Sequence, residues 1–95
     1  MDIRIQKSFK KNIQRDEKSN KYSEDDFKVL KNIIRKLKDN EDIEPKFRRH
    51  KLIGNLKEYE GIHIKHNWVL VFKISDNTII LVMIGTHTQV YRTRF

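Results

Sequence analysis

The chain has 95 residues, with 21 Lys and Arg against 13 Asp and Glu, a formal charge of +8 and no cysteine. That length supports one hydrophobic core, so a single domain over residues 1–95 is expected, and the lack of thiols excludes disulfides and thiolate metal sites, as suits a reducing cytoplasm. No apolar run reaches the ~18 to 20 residues of a membrane span and no signal-peptide core opens the chain, while the positive surplus favours polyanions, nucleic acid ahead of a membrane surface.

Met1 to Gln6 alternates, with Ile3 and Ile5 on one side and Asp2, Arg4 and Gln6 on the other, which predicts a half-buried first strand. Residues 8–19 follow as a weakly amphipathic helix, with Ser8 as a candidate N-cap, Phe9 and Ile13 one turn apart, and a basic face from Lys7, Lys10, Lys11 and Arg15. The polar cluster Ser19-Asn20-Lys21 ends it. A stronger helix signal starts at Ser23, a candidate cap before Glu24, Asp25 and Asp26, and Phe27, Leu30, Ile33, Ile34 and Leu37 recur at helical spacing. Asn40 and Pro45 stop this helix, and Asp39 to Arg49 reads as a charged loop.

From Leu56 to Lys65 one or two strands are expected, with Tyr59-Glu60-Gly61 as a turn or bulge between them. Alternation puts Ile62 and Ile64 on one face and His63 and Lys65 on the other. The apolar runs Val69 to Phe72 and Ile79 to Ile84 read as strands buried at least partly on both faces. Asp76-Asn77 signals a tight hairpin between them, in a register that pairs Ser75 with Thr78, Phe72 with Leu81 and Leu70 with Met83. One strand, two helices and an antiparallel meander make an α+β fold, because the helices can bury their apolar stripes only against the sheet.

Residues 50–91 hold all four histidines and an ordered set of positions: His50, Leu52, Gly54, Leu56, His63, Ile64, Asn67, Trp68, Gly85, Thr86, His87 and Tyr91. This order resembles the YafQ branch of the RelE/YoeB/ParE superfamily of bacterial toxins. The resemblance implies a RelE-like microbial RNase fold. It also implies the toxin of a type II toxin-antitoxin pair, a ribosome-dependent mRNA endoribonuclease whose partners are a cognate antitoxin, the ribosome and mRNA, with neither metal nor small-molecule cofactor.

Such cleavage is attack by a ribose 2′-hydroxyl on the adjacent phosphorus. It needs a base at the hydroxyl, an acid at the leaving 5′-oxygen and positive charge at the phosphate. Histidine suits the first two, since its unperturbed pKa of about 6.5 keeps both protonation forms available near neutrality. His87, just past a strand ending in Gly85-Thr86, is the first candidate, and His63 and His50 match two further histidines of the resembled family's site. Otherwise His87 would be an exposed loop histidine and His50 part of a solvated basic run, Arg48-Arg49-His50-Lys51, whereas His63 lies off the apolar face. Tyr91 shares the face of His87 if Thr88 to Arg92 makes a helical turn, and its ring suits stacking on a base.

Two positions depart from the family pattern. Asn67 stands where an Asp is common, and Met83 stands where many relatives carry an Arg for the phosphate; in the register above Met83 belongs to the Leu70 and Phe72 face. Candidate RNA contacts are Lys10, Lys11, Arg15, Lys51, Lys65, Arg92 and Arg94, with Trp68, which reads as core ahead of a base-stacking platform. Of these, Lys51, Lys65, Arg92 and Arg94 are the cations available to replace the missing Arg. A metal site is disfavoured, because His63 and His66 point to opposite faces of a strand with no acidic neighbour. The competing readings are a catalytically weakened or inactive RNA- or ribosome-binding module of the same fold, or an antitoxin corepressor.

Overall fold

A computed structural model describes residues 1–54 and 57–92. The chain runs as β1 (Asp2–Ile5), α1 (Lys7–Lys18), α2 (Glu24–Lys38), a 3₁₀ turn (Pro45–Phe47), β2 (His50–Lys51), β3 (Glu60–Lys65), β4 (Trp68–Ser75), β5 (Thr78–Gly85) and α3 (His87–Arg92). The strands form one sheet in the order β1-β5-β4-β3-β2, antiparallel except for the parallel pair of β1 and β5.

Local chemistry explains most element boundaries. Ser23 accepts from the Asp26 backbone N–H at 3.1 Å while the Asp26 carboxylate accepts from the Ser23 N–H at 2.9 Å, a reciprocal cap that satisfies two orphan donors at the start of α2. Helix α2 ends where Asn40 takes a left-handed φ of 56°. Asp76 and Asn77, at φ 50° and 58°, close the β4–β5 hairpin in the twist that two-residue loops prefer.

Helix α1 departs from expectation. It starts at Lys7 behind Gln6, which makes no side-chain cap, and Ser8 instead donates its hydroxyl to the Val82 carbonyl. Strand β1 pairs with β5 only as far as Ile5 opposite Leu81. Beyond that point Ser8, Asn12 and Arg15, spaced i, i+4 and i+7, take over the exposed strand edge: Asn12 Oδ1 accepts from the Ile84 N–H at 3.1 Å and Arg15 donates to the Ile84 carbonyl at 2.8 Å. β1 is itself a thin edge, since Ile3 packs against the core but Ile5 is exposed.

Both faces of the central strands are buried, as their apolar runs predict. Phe9, Leu30, Ile33 and Leu37 of the helices pack on Ile62, Ile64, Trp68, Leu70, Phe72, Ile79, Leu81 and Ile84. On the other face Leu52, Val69, Val71, Ile80, Val82 and Met83 meet Val90 of α3.

The hairpin keeps the expected pairs Ser75 with Thr78 and Phe72 with Leu81, but the register then shifts, so Leu70 pairs with Ile84 and Met83 with Val71. An extra residue, Val82, turns the following side chain over, and Met83 lies on the Val69 and Val71 face rather than that of Leu70 and Phe72. A second correction concerns residues 59–61. Glu60 and Gly61 lie inside β3 and pair with β2, so no turn divides that strand, and the 39–49 connection contains the 3₁₀ turn. Asn55 and Leu56 lie outside the described residues.

Candidate active site

The sheet face opposite α1 and α2 carries a row of rings. His50 and His63 have centroids 5.5 Å apart, His63 and His87 5.0 Å, and His87 and Tyr91 6.0 Å with planes 19° apart. Three of the four histidines thus converge from β2, β3 and the start of α3, and His66 lies in the exposed β3–β4 turn.

His50 holds its ring by Nδ1, which donates to the Arg48 carbonyl at 2.8 Å and leaves Nε2 without a hydrogen-bond partner among the described residues. Opposite it in β3 is Gly61, where a β-carbon would stand 3.2 Å from His50 Cε1; glycine makes the room for this imidazole. His63 projects from β3 away from Ile62 and Ile64, as alternation predicts, yet it is only 9% exposed. Burial pushes its pKa below the ordinary value, helped by the charge of Arg48 and by His87 and His50, while the His66 carbonyl, 3.4 Å from Nδ1, pulls the other way. The imidazole is therefore held toward its neutral form.

His87 opens α3. Thr86 caps that helix: the Gln89 amide nitrogen donates to Thr86 Oγ1 at 3.2 Å, and Gln89 Oε1 accepts from the Thr86 N–H at 2.9 Å. The pattern Thr86-His87-Thr88-Gln89 is a capping box legible in the sequence, and it fixes where His87 leaves the sheet. Gly85 leaves room for this cap, since a β-carbon there would come 2.7 Å from Gln89 Oε1 and displace it from the Thr86 N–H. Asn67 Oδ1 accepts from both the backbone N–H of His87, at 2.9 Å, and its Nδ1, at 2.7 Å. Tyr91, half exposed, is one turn further along, as the expected helical turn requires.

The other candidates scatter. Lys10 and Lys11 are exposed on α1, across the sheet from the histidine row. Arg15 is tied to Asp16 at 2.9 and 3.1 Å and to the Ile84 carbonyl, so it braces the fold rather than offering a free cation. Lys51 faces away from His50 by strand alternation, and Lys65 is paired with Asp26 at 3.2 Å. Arg92 is exposed at the end of α3, and Arg94 lies outside the described residues.

Trp68 has no exposed surface. It stacks on Tyr22 at 4.1 Å and donates Nε1 to buried Asp16 at 2.9 Å, which makes it a core residue and removes it from the RNA contacts. Met83, by its pairing with Val71, shares the face of the histidines as a 4%-exposed thioether.

Sequence reasoning missed two residues. Asp16 falls on the Phe9 and Ile13 stripe, and an acid on an apolar stripe was the available signal. Arg48 lines an open cleft of about 430 Å³ with Val29, Phe47, His63 and Lys65, at a position that the charged loop around it concealed.

Residues 1–92 match the family described as "Bacterial toxin of type II toxin-antitoxin system, YafQ". The mRNA interferase toxin YafQ of Escherichia coli (strain K12) is 30% identical over 90 residues, which cover 83% of this chain and 98% of that protein. A metal-bound toxin from Helicobacter pylori superposes with a TM-score of 0.83 at 29% identity, over 95% of this chain and 98% of the other. A chain of the E. coli DinJ-YafQ complex gives 0.83 at 25% identity, over 95% and 97%. The α+β fold is therefore the one the resemblance implied, and the chain belongs to the YafQ family of bacterial toxins of type II toxin-antitoxin systems.

Proposed function

We propose that this toxin is an endoribonuclease that cuts mRNA on the ribosome in the cytoplasm, by in-line transfer of the phosphorus to the ribose 2′-hydroxyl. The observation that carries this reading is the pair His63 and His87, two imidazoles with centroids 5.0 Å apart, the first buried and the second partly exposed. His63, held neutral by burial, takes the 2′-hydroxyl proton as the 2′-oxygen bonds to phosphorus. His87, in its protonated form and oriented by Asn67, gives the proton on Nε2 to the leaving 5′-oxygen as the old phosphorus–oxygen bond breaks. The products are a 2′,3′-cyclic phosphate and a 5′-hydroxyl. His50 presents Nε2 beside His63, and Tyr91 extends the row as a stacking surface for a base. Both proton transfers use imidazoles, so the reaction is proposed to run without metal.

The relative crystallised as the DinJ-YafQ complex supports a cognate antitoxin for this chain as well, a segment that orders itself on the toxin and blocks RNA access. Primer extension on translated mRNA tests the reading. Wild type should leave discrete cuts, and His87→Gln should slow cutting by ~10²–10⁴-fold while remaining folded and antitoxin-bound. Absence of cutting by wild type, or undiminished cutting by His87→Gln, would favour the binding-module reading.

A further inference from the structure

In phosphoryl transfer, negative charge gathers on the non-bridging oxygens, and a donor fixed beside them is worth a large factor in rate. The histidine row contains no Lys or Arg, and Met83 on the same face is a buried thioether. The cations flanking the row are mostly committed elsewhere. Arg49 is bound bidentately by Glu60 at 2.8 and 3.3 Å, Lys65 by Asp26, and Lys46 lies 3.8 Å from Glu44. Lys51 faces away, and Arg92, five residues after His87, projects about 140° around the helix from it.

Arg48 differs from all of these. It is exposed, it has no carboxylate partner among the described residues, and it lines the same cleft as His63. Its backbone is held at φ 46°, ψ 53°, a left-handed geometry that residues with a β-carbon rarely adopt. Two hydrogen bonds fasten it there: its N–H donates to the Pro45 carbonyl at 3.0 Å, and its own carbonyl accepts from His50 Nδ1 at 2.8 Å. One residue thus orients His50 through its backbone and brings a guanidinium to the cleft beside His63. Pro45 preorganises the turn that makes this possible.

We propose that Arg48 is the phosphate ligand of this site, supplying the positive charge that Met83 does not. The assignment rests on the phosphoryl-transfer reading above, and it sets the Arg48 guanidinium on the His63 side of a phosphate held between the His63 and His87 rings. The guanidinium fork suits two non-bridging oxygens at once.

The test combines rate with binding. In single-turnover cleavage of translated mRNA, Arg48→Gln should lose ~10²–10³-fold in rate, and Arg48→Lys should recover part of it as a point charge without the fork. Binding is read from the His63 ring resonances during titration with a 3′-phosphorylated RNA dinucleotide and with its dephosphorylated form. Wild type should prefer the phosphorylated form, and Arg48→Gln should erase that preference, at least about tenfold, while matching wild type in urea denaturation. A cleavage rate within about threefold of wild type overturns the proposal. So does a slow variant that still prefers the phosphorylated dinucleotide, because Arg48 would then act only by holding His50. If wild type cuts no RNA, the nuclease reading fails and the dinucleotide alone decides: a phosphate preference abolished in Arg48→Gln keeps Arg48 as the anion ligand, and equal affinities remove it.

Discussion

The side-chain oxygen of Asn67 accepts twice from His87, from its backbone N–H at 2.9 Å and from Nδ1 at 2.7 Å. A backbone nitrogen can only donate, so the amide orientation is fixed and Nδ1 carries a proton, which leaves Nε2 as the position for proton exchange. The amide therefore keeps the orienting half of what an Asp would do and lacks the charge. On the proposed mechanism Asn67→Asp should retain cleavage and move the alkaline limb of the pH–rate profile upward, because a carboxylate favours the imidazolium. Asn67→Ala removes both bonds and should slow cleavage by about tenfold or more. An alanine variant with wild-type kcat would separate His87 from this support.

His63 predicts a pH dependence of stability. Its folded pKa lies below the ordinary value because burial penalises the charged ring. As pH falls, the unfolded chain binds the proton first, so the contribution is fully present above the unfolded value of about 6.5 and is lost as pH drops toward the folded pKa. The urea midpoint should fall from pH 7 to 5 more in wild type than in His63→Gln. Parallel curves, or an NMR titration of His63 at or above the ordinary value, would contradict the burial argument.

Gly61 makes space rather than supplying backbone freedom. An alanine methyl would meet His50 Cε1 at 3.2 Å and Leu52 Cδ2 at 3.4 Å, so the imidazole must shift and strain its bond to the Arg48 carbonyl. Gly61→Ala should cost about 1 kcal/mol of stability yet slow cleavage by roughly tenfold. A crystal structure of the variant with His50 unmoved and full activity would refute this.

Asp16 is a buried carboxylate, held by Arg15 and by the Trp68 indole. Removing the carboxylate strands a buried N–H and an arginine, so Asp16→Ala should lose about 3 kcal/mol in denaturant titration. Arg15→Ala should lose stability as well. Lys10→Ala with Lys11→Ala should leave the midpoint unchanged and weaken ribosome binding in a salt-dependent way, since both side chains are exposed. If Arg15→Ala behaves like the lysine pair, the bracing role is wrong.

Much of this molecule was written locally. Ser23 with Asp26 starts α2, Asp76-Asn77 turns the hairpin, and the apolar runs of β4 and β5 announce strands covered on both faces, because caps, turns and burial each depend on residues a few positions apart. Alternation also put His63 on the face opposite Ile62 and Ile64. What needed the tertiary structure were relations across the sheet. The extra residue Val82 reverses the face of Met83, which no periodicity of two reports, since a bulge breaks the period at a point set by the partner strand. Arg15 looked like one more cation on a basic helix until the end of β1 left the β5 edge for it to cap, and Trp68, already read as core, found its indole partner in Asp16, fifty-two residues away. Arg48 stands out because Arg49, Lys46 and Lys65 are paired and it has no carboxylate partner among the described residues. The sequence by itself determined which elements form and which residue types could move a proton; the fold decided which of them meet, because ring spacing, burial and charge pairing are set by strands distant in the chain.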